Sequence, residues 1–208
     1  MMDFIKNIFK KRKKMTWYDV TLCKFNELQK LFEIEDETER ILAIAELLLG
    51  EDVTNLPLKE FNEKFKQLGF LKEEIPNKIP PEKVEVNGRK YFLDCLLGNI
   101  STAQYVDFTN HSNSGDLSKM LSVFIIPEGH KYNDGYDMLQ VISDINDLPI
   151  PIVNSISFFF RRQFSVFMKI FQRYAIKQIK KTNLPKEAKE NMIKAVEKSV
   201  DLALFPLF

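Results

Sequence analysis

The chain contains few of the side chains that carry out catalysis or bind metals. Its only histidines are His111 and His130, and its only cysteines are Cys23 and Cys95. No His-x-x-x-His or Cys-x-x-Cys spacing occurs, although zinc sites draw their ligands from such short intervals. We therefore expect histidines in surface loops, reduced structural cysteines and no bound metal.

Patterns for covalent catalysis and for phosphate binding are also missing from the sequence. There is no Gly-x-Ser-x-Gly motif, and the seven glycines stand apart from one another rather than forming a phosphate loop. Adjacent carboxylates such as Glu73 and Glu74 lie on a predicted exposed turn, whereas general acid–base catalysis relies on burial to tune the pKa. We expect no enzyme, no cofactor, and no catalytic or cofactor-binding residues.

The composition favours packed helices and indicates no strong overall electrostatic field. The 208 residues are 45% hydrophobic, which is enough to bury a core in one domain or in two small ones. Eighteen phenylalanines against seven glycines suit helices better than a loop-rich β-sandwich. The net charge of +1 gives no global attraction for nucleic acid.

The sequence shows neither a secretion signal nor a membrane span. Apolar residues near the start are interleaved with lysines, unlike the apolar centre of a signal peptide. The longest apolar stretch, residues 41–49, is interrupted by Glu46 and falls short of the ~20 residues of a membrane helix. We therefore expect synthesis inside the cell and no crossing of a bilayer.

The first fifteen residues predict a basic amphipathic arm. Phe4, Ile5, Ile8 and Phe9 fall on one helical face, and lysines occupy the other. The candidate basic surface of this arm consists of Lys10, Lys11, Arg12, Lys13 and Lys14. Three interpretations stay open: a solvated tail, an arm that docks on a neighbouring subunit, or a patch for nucleic acid or a membrane surface.

Spacing and capping signals predict a mainly α fold, a helical bundle with one small β-hairpin. Thr21, Asp36, Ser101 and Asp116 suit helix N-caps, and the helix after Asp116 is expected to run through Ile125. The Asn-Gly pair between β-favouring residues predicts the hairpin at about 84–92. Prolines 76, 80 and 81 mark a boundary, which gives an N-terminal helical region (16–75) and a hairpin plus helical region (76–208).

The longest predicted helix, at about 152–182, is the most informative element. Thirty residues would span ~45 Å, so we expect part of this basic, Phe-rich helix to project. Apolar side chains spaced four, three, four and three apart form a heptad seam, namely Phe160, Phe164, Phe167, Phe171 and Tyr174. Seven basic side chains lie on the same helix, and five of them belong to the candidate basic surface, namely Arg161, Arg162, Lys169, Arg173 and Lys177.

Two interpretations of this helix stay open. It is either a core helix with a solvated basic face, or a helix whose phenylalanines are covered by a second subunit. In the second case the basic side would face an acidic partner or nucleic acid. The apolar end of the chain adds Phe205 and Phe208 to the candidate protein–protein interface.

Several segments resemble small proteins of tailed bacteriophages that infect gut Bacteroidetes, including crAss-like phages. They are TWYDVTL (16–22), STAQYVDF (101–108), IPEG (126–129) and KYN (131–133), and the similarity extends over about residues 16–170. The proteins of this kind are products of phage structural and assembly genes. The resemblance implies an origin and an assembly role, and it transfers no catalytic or binding residue.

Two roles follow from this resemblance. The chain is expected to be a virion structural protein, a portal-proximal ring or connector subunit of the neck, collar or tail. It would be made in the bacterial host cytoplasm and would assemble with copies of itself and with other phage structural proteins. Alternatively, it is a tail assembly chaperone that holds an apolar helical client and is absent from the mature virion. Nucleic-acid binding through the basic segments is the least favoured alternative.

Overall fold

The computed structural model describes residues 14–94 and 100–202, without the side chains of residues 113, 164–171 and 197–202. It is mainly helical with a small antiparallel sheet, which confirms the predicted fold class. The α-helices are α1 (Leu22–Leu31), α2 (Glu37–Leu49), α3 (Leu58–Phe65), α4 (Thr102–Ser114), α5 (Leu117–Ser122), α6 (Met138–Asn146), α7 (Ile150–Lys181) and α8 (Lys186–Leu202), and two short 3-10 helices span Trp17–Asp19 and Lys66–Lys72. The strands are β1 (Lys83–Val86), β2 (Arg89–Leu93) and β3 (Ile125–Pro127).

The described residues divide into two compact units. The first consists of residues 14–76 together with Pro149–Pro151, and the second of residues 77–148 and 152–202. The first unit is centred on Trp17, whose ring lies edge-on against Phe70 at a centroid distance of 5.1 Å. Its indole N–H donates to the carbonyl of Glu73 (3.0 Å), so the buried polar group is satisfied.

Local capping explains where the helices of the first unit begin and end. The Thr21 hydroxyl oxygen accepts from the backbone N–H of Lys24 (3.3 Å), and an Asp36 carboxylate oxygen accepts from that of Glu39 (2.7 Å). Gly50 ends α2 with φ of 70°, a left-handed conformation that a residue with a Cβ adopts only at a cost. The two N-caps, Thr21 and Asp36, are the predicted ones.

The sheet of the second unit contains the predicted hairpin and one further strand. Strands β1 and β2 are antiparallel, and Asn87 and Gly88 both have positive φ (52° and 73°), as a two-residue turn between twisted strands requires. The helix predicted through Ile125 was placed wrongly at its end. Helix α5 stops at Ser122, and Ile125–Pro127 pairs with β2, so its backbone bonds go to a strand rather than to a helical turn.

The core of the second unit packs around the first half of α7. The buried positions Val153, Ile156 and Phe160 recur at intervals of three and four, as one face of a helix does. The ring of Phe160 stacks on Phe124 with centroids 4.2 Å apart, and Phe124 in turn contacts Phe108. Helix α7 thus places one face inward and leaves the side with Phe158 exposed.

Candidate interaction surface

The described residues offer no metal cluster and no membrane helix. In residues 14–94 and 100–202, no three His, Cys, Asp or Glu side chains come together as metal ligands. None of the helices described there is long and apolar enough to cross a bilayer. His130 lies 3.9 Å from Asp134 on an exposed loop, as predicted. The prediction of a surface loop was wrong for His111, which is half-buried in α4 because that helix continues to Ser114. The Cys23 thiol is exposed, and Cys95 lies outside the described residues.

The most elaborate polar cluster surrounds Asp144 on α6. This carboxylate is fully buried and accepts from the Arg89 guanidinium at 3.0 Å through both of its oxygens. The amides of Asn87 (2.9 Å) and Gln140 (3.1 Å) also donate to it, as does the hydroxyl of Tyr91. The cluster therefore joins the hairpin to α6 through one anion.

The electrostatics of Asp144 indicate a structural role. Burial by itself would raise the pKa of this carboxyl, yet the hydrogen bonds donated to it, that of Tyr91 foremost, hold its pKa below the usual value. Burial and the adjacent carboxylate raise the pKa of Tyr91 in turn, so its proton stays on the phenol. With both oxygens engaged by donors, Asp144 is an anchor for the turn rather than a general base.

A side-chain hydrogen bond also fixes the loop after β3 to the rest of its unit. The hydroxyl of Tyr132 donates to the carboxylate of Asp107 on α4 (2.6 Å), and the ring is half-buried. Burial raises the pKa of Tyr132 and Asp107 adds to that rise. Tyr132 therefore links the loop to α4 through its side chain.

An apolar groove lies between residues 77–80 and the outer face of α7. It is lined by Ile79, Pro80, Phe158 and Phe159, with Lys78 and Arg162 at its rim. The backbone N–H of Lys78 donates to the buried hydroxyl of Ser155 (3.2 Å) and fixes the extended segment along the helix. We call these lining residues the α7 groove.

The α7 groove exposes large apolar side chains beside the positive charge of Arg162. Ile79 is 92% exposed and Phe158 is 52% exposed. Arg162 lies one helical turn after Phe158, so both occupy the same side of α7. Among the described residues, neither Arg161 nor Arg162 has an acidic partner within ion-pair distance. A surface of this kind suits contact with a protein partner that brings apolar and acidic groups.

The predicted interface residues fall in different places. Tyr174 is 61% exposed, and it remains a candidate. Phe160 is instead 5% exposed and stacks on Phe124, so it belongs to the core of its own chain. It faces inward because it lies on the same face of α7 as the buried Val153 and Ile156. The side chains of Phe164, Phe167 and Phe171, and the whole of Phe205 and Phe208, lie outside the described residues.

The predicted basic surface is partly described. Four of its members on α7 are exposed, namely Arg161, Arg162, Arg173 and Lys177. Lys14 is exposed and lies 3.6 Å from Glu73. Lys10, Lys11, Arg12 and Lys13, and the side chain of Lys169, lie outside the described residues.

Sequence reasoning missed the α7 groove as a site. The heptad spacing predicted that Phe160 would be part of an interface, whereas it is the ring of Phe158, two residues earlier, that is exposed. The signal was present in the proline-rich segment before β1, where Ile79 is the one large apolar residue between Pro76 and Pro80. An isolated isoleucine in an extended, helix-breaking segment has few neighbours along the chain to cover it.

Comparison with known proteins adds no family to this description. No protein-family model matches the chain, and no curated protein or solved structure matches it significantly.

Proposed function

We propose that the chain is a non-enzymatic structural subunit of a tailed phage, a ring or connector subunit of the neck, collar or tail. The observation that carries this proposal is the α7 groove, in which Ile79 and Phe158 stay exposed beside Arg162. Apolar side chains with an arginine at the rim are typical of contact surfaces between proteins. The resemblance of residues 16–22 and 101–108 to phage assembly proteins supports the choice of particle.

A tail assembly chaperone is the second candidate, and the same groove favours it. A chaperone needs an apolar surface that is open in the free protein, and Phe158 provides one. The two roles differ in what fills the groove. In a ring it is covered permanently by another subunit, whereas in a chaperone it is covered only while a client is bound.

Two measurements test the proposal. Light scattering of the purified chain over a range of concentrations should show a discrete oligomer, and Phe158→Ser should weaken it without changing the far-ultraviolet circular dichroism. Mass spectrometry of purified particles should find many copies of the chain. A monomer at every concentration that is also absent from the particle would reject the ring and leave the chaperone.

A further inference from the structure

A second exposed surface of the chain is complementary to the α7 groove. The segment between α1 and α2, together with the first turn of α2, carries Phe32, which is 57% exposed, and an acidic run formed by Glu33, Glu35, Asp36, Glu37 and Glu39. The acidic side chains of this run are exposed, and in the described part of the chain none of them forms an ion pair. We call residues 32–39 the acidic turn.

The acidic turn is held in one conformation by local hydrogen bonds. The N–H groups of Phe32 and Glu33 donate to the carbonyls of Gln29 and Lys30 at 3.2 Å. The Arg40 guanidinium donates to the carbonyl of Ile34 (3.0 Å). A fixed turn loses little conformational entropy when it docks, so its exposed phenyl ring is pre-organised for an apolar partner.

We infer that the acidic turn of one copy docks in the α7 groove of a second copy, with Phe32 against Phe158 and Ile79 and the acidic side chains against Arg161 and Arg162. This inference deepens the proposed function and rests on it. Both surfaces combine one exposed aromatic ring with unpaired charges, and the charges are of opposite sign. Complementary charge of this kind fixes which surfaces meet and suppresses contact between like surfaces.

The contact joins two different surfaces of the chain, so two arrangements can use it. In a head-to-tail arrangement each docked pair leaves one acidic turn and one α7 groove unused, so association continues until a ring closes or a filament grows. In a two-fold dimer the two copies exchange the contact reciprocally and association stops at two copies, so the mass of the oligomer separates the two arrangements.

Charge reversal on each side tests the inference. Arg161→Glu with Arg162→Glu should weaken self-association at least about tenfold, and so should Glu33→Lys with Glu35→Lys. All four side chains are exposed, so circular dichroism should stay that of the unchanged chain. An equimolar mixture of the two variants should recover assemblies that contain both variants in equal numbers, because each groove is then opposite in charge to the acidic turn or reversed turn of the other variant.

The matched control and the remaining outcomes separate this inference from the proposed function. Lys180→Glu with Lys181→Glu makes the same change in charge at the far end of α7 and should leave the association intact. If the chain oligomerises but neither charge reversal weakens it, or if mixing recovers nothing, the docking inference is overturned and the ring proposal stands. A chain that is monomeric at every concentration and salt level overturns both.

The dependence of self-association on salt concentration, and on substitution of the two exposed phenylalanines, provides a second test. Raising NaCl from about 0.05 to about 0.5 M shortens the screening length, so the self-association constant should fall by about tenfold or more. Phe32→Ser and Phe158→Ser should each weaken the association, and combining them should cost less than the sum of their separate effects. Fully additive losses would show that the two rings do not meet and would reject the contact.

Discussion

The buried Asp144 cluster permits a sharp prediction, the effect of Asp144→Asn on stability. Asparagine keeps the shape of the side chain but replaces one carboxylate oxygen with an amide that donates. The cheaper orientation puts this amide where Oδ2 lies, because Oδ2 accepts from Arg89 and Tyr91 only, while Oδ1 accepts from three donors. The Tyr91 hydroxyl can then turn and accept, which leaves Arg89 without its counter-charge.

The magnitude follows from what the variant leaves unpaired. Removing one partner of a fully buried ion pair costs about 3–5 kcal/mol. Arg89 is about half exposed, so water recovers part of its interaction, and we expect Asp144→Asn to lower the free energy of unfolding by about 2–4 kcal/mol at neutral pH. Urea denaturation followed by circular dichroism measures this difference.

A neighbouring aspartate provides the matched control. Asp147 is exposed and accepts one hydrogen bond, from Asn87 at 2.8 Å. Asp147→Asn makes the same chemical change near the same helix end and should cost less than about 1 kcal/mol. Equal losses for the two variants would refute the reasoning, because burial and the number of donors would then make no difference.

The same variant predicts a pH dependence with a definite sign. The pKa of Asp144 is lower in the folded chain than in the unfolded chain, so its charge stabilises the fold fully above the unfolded value of about 3.9. That contribution is lost as the pH falls towards the depressed folded pKa. The stability gap between the unchanged chain and Asp144→Asn should therefore close below about pH 4, and a gap that stays constant into acid would contradict the assignment.

Further predictions concern the core and the hairpin. Phe160→Ala should destabilise the chain by about 3–5 kcal/mol, because the ring is buried against Phe124, whereas Phe158→Ala should stay within about 0.5 kcal/mol. Thermal unfolding separates them, and equal losses would place Phe158 in the core. Gly88→Ala should cost about 1–2 kcal/mol because its φ is 73°, while Gly69→Ala, at an exposed position with open space around its Cα, should be nearly neutral.

The elements that the sequence predicted well are those specified by residues next to one another. Thr21, Asp36 and Ser101 cap helices because a side-chain oxygen reaches the N–H of a residue three positions later. Asn87 and Gly88 tolerate positive φ, so two residues are enough to fix a hairpin. Such signals require no knowledge of tertiary contacts.

The elements that the sequence did not predict depend on partners distant along the chain. Asp144 looks like any polar residue of a short helix until the hairpin brings Arg89 and Tyr91 to it across more than fifty residues. The strand at Ile125–Pro127 exists because β2 offers it an edge, and its three residues carry no alternation of their own. The spacing of apolar residues in α7 likewise predicted a helix, but it did not predict that Phe124 would cover the face that carries Phe160.

The charge distribution of the chain bears on how it can assemble. The net charge of +1 is nearly neutral, so copies do not repel one another at long range, and local patches decide the orientation in which they meet. Identical surfaces that face each other across a two-fold axis would bring Arg162 near Arg162, or Glu33 near Glu33, and like charges would oppose that pairing. The proposed contact between the acidic turn and the α7 groove avoids both repulsions, and in its head-to-tail form every copy would use its two surfaces with two different neighbours. A closed ring then appears as one discrete mass that does not grow with concentration, whereas a filament grows without limit, so the mass distribution of the unchanged chain decides whether the angle between neighbouring contacts closes.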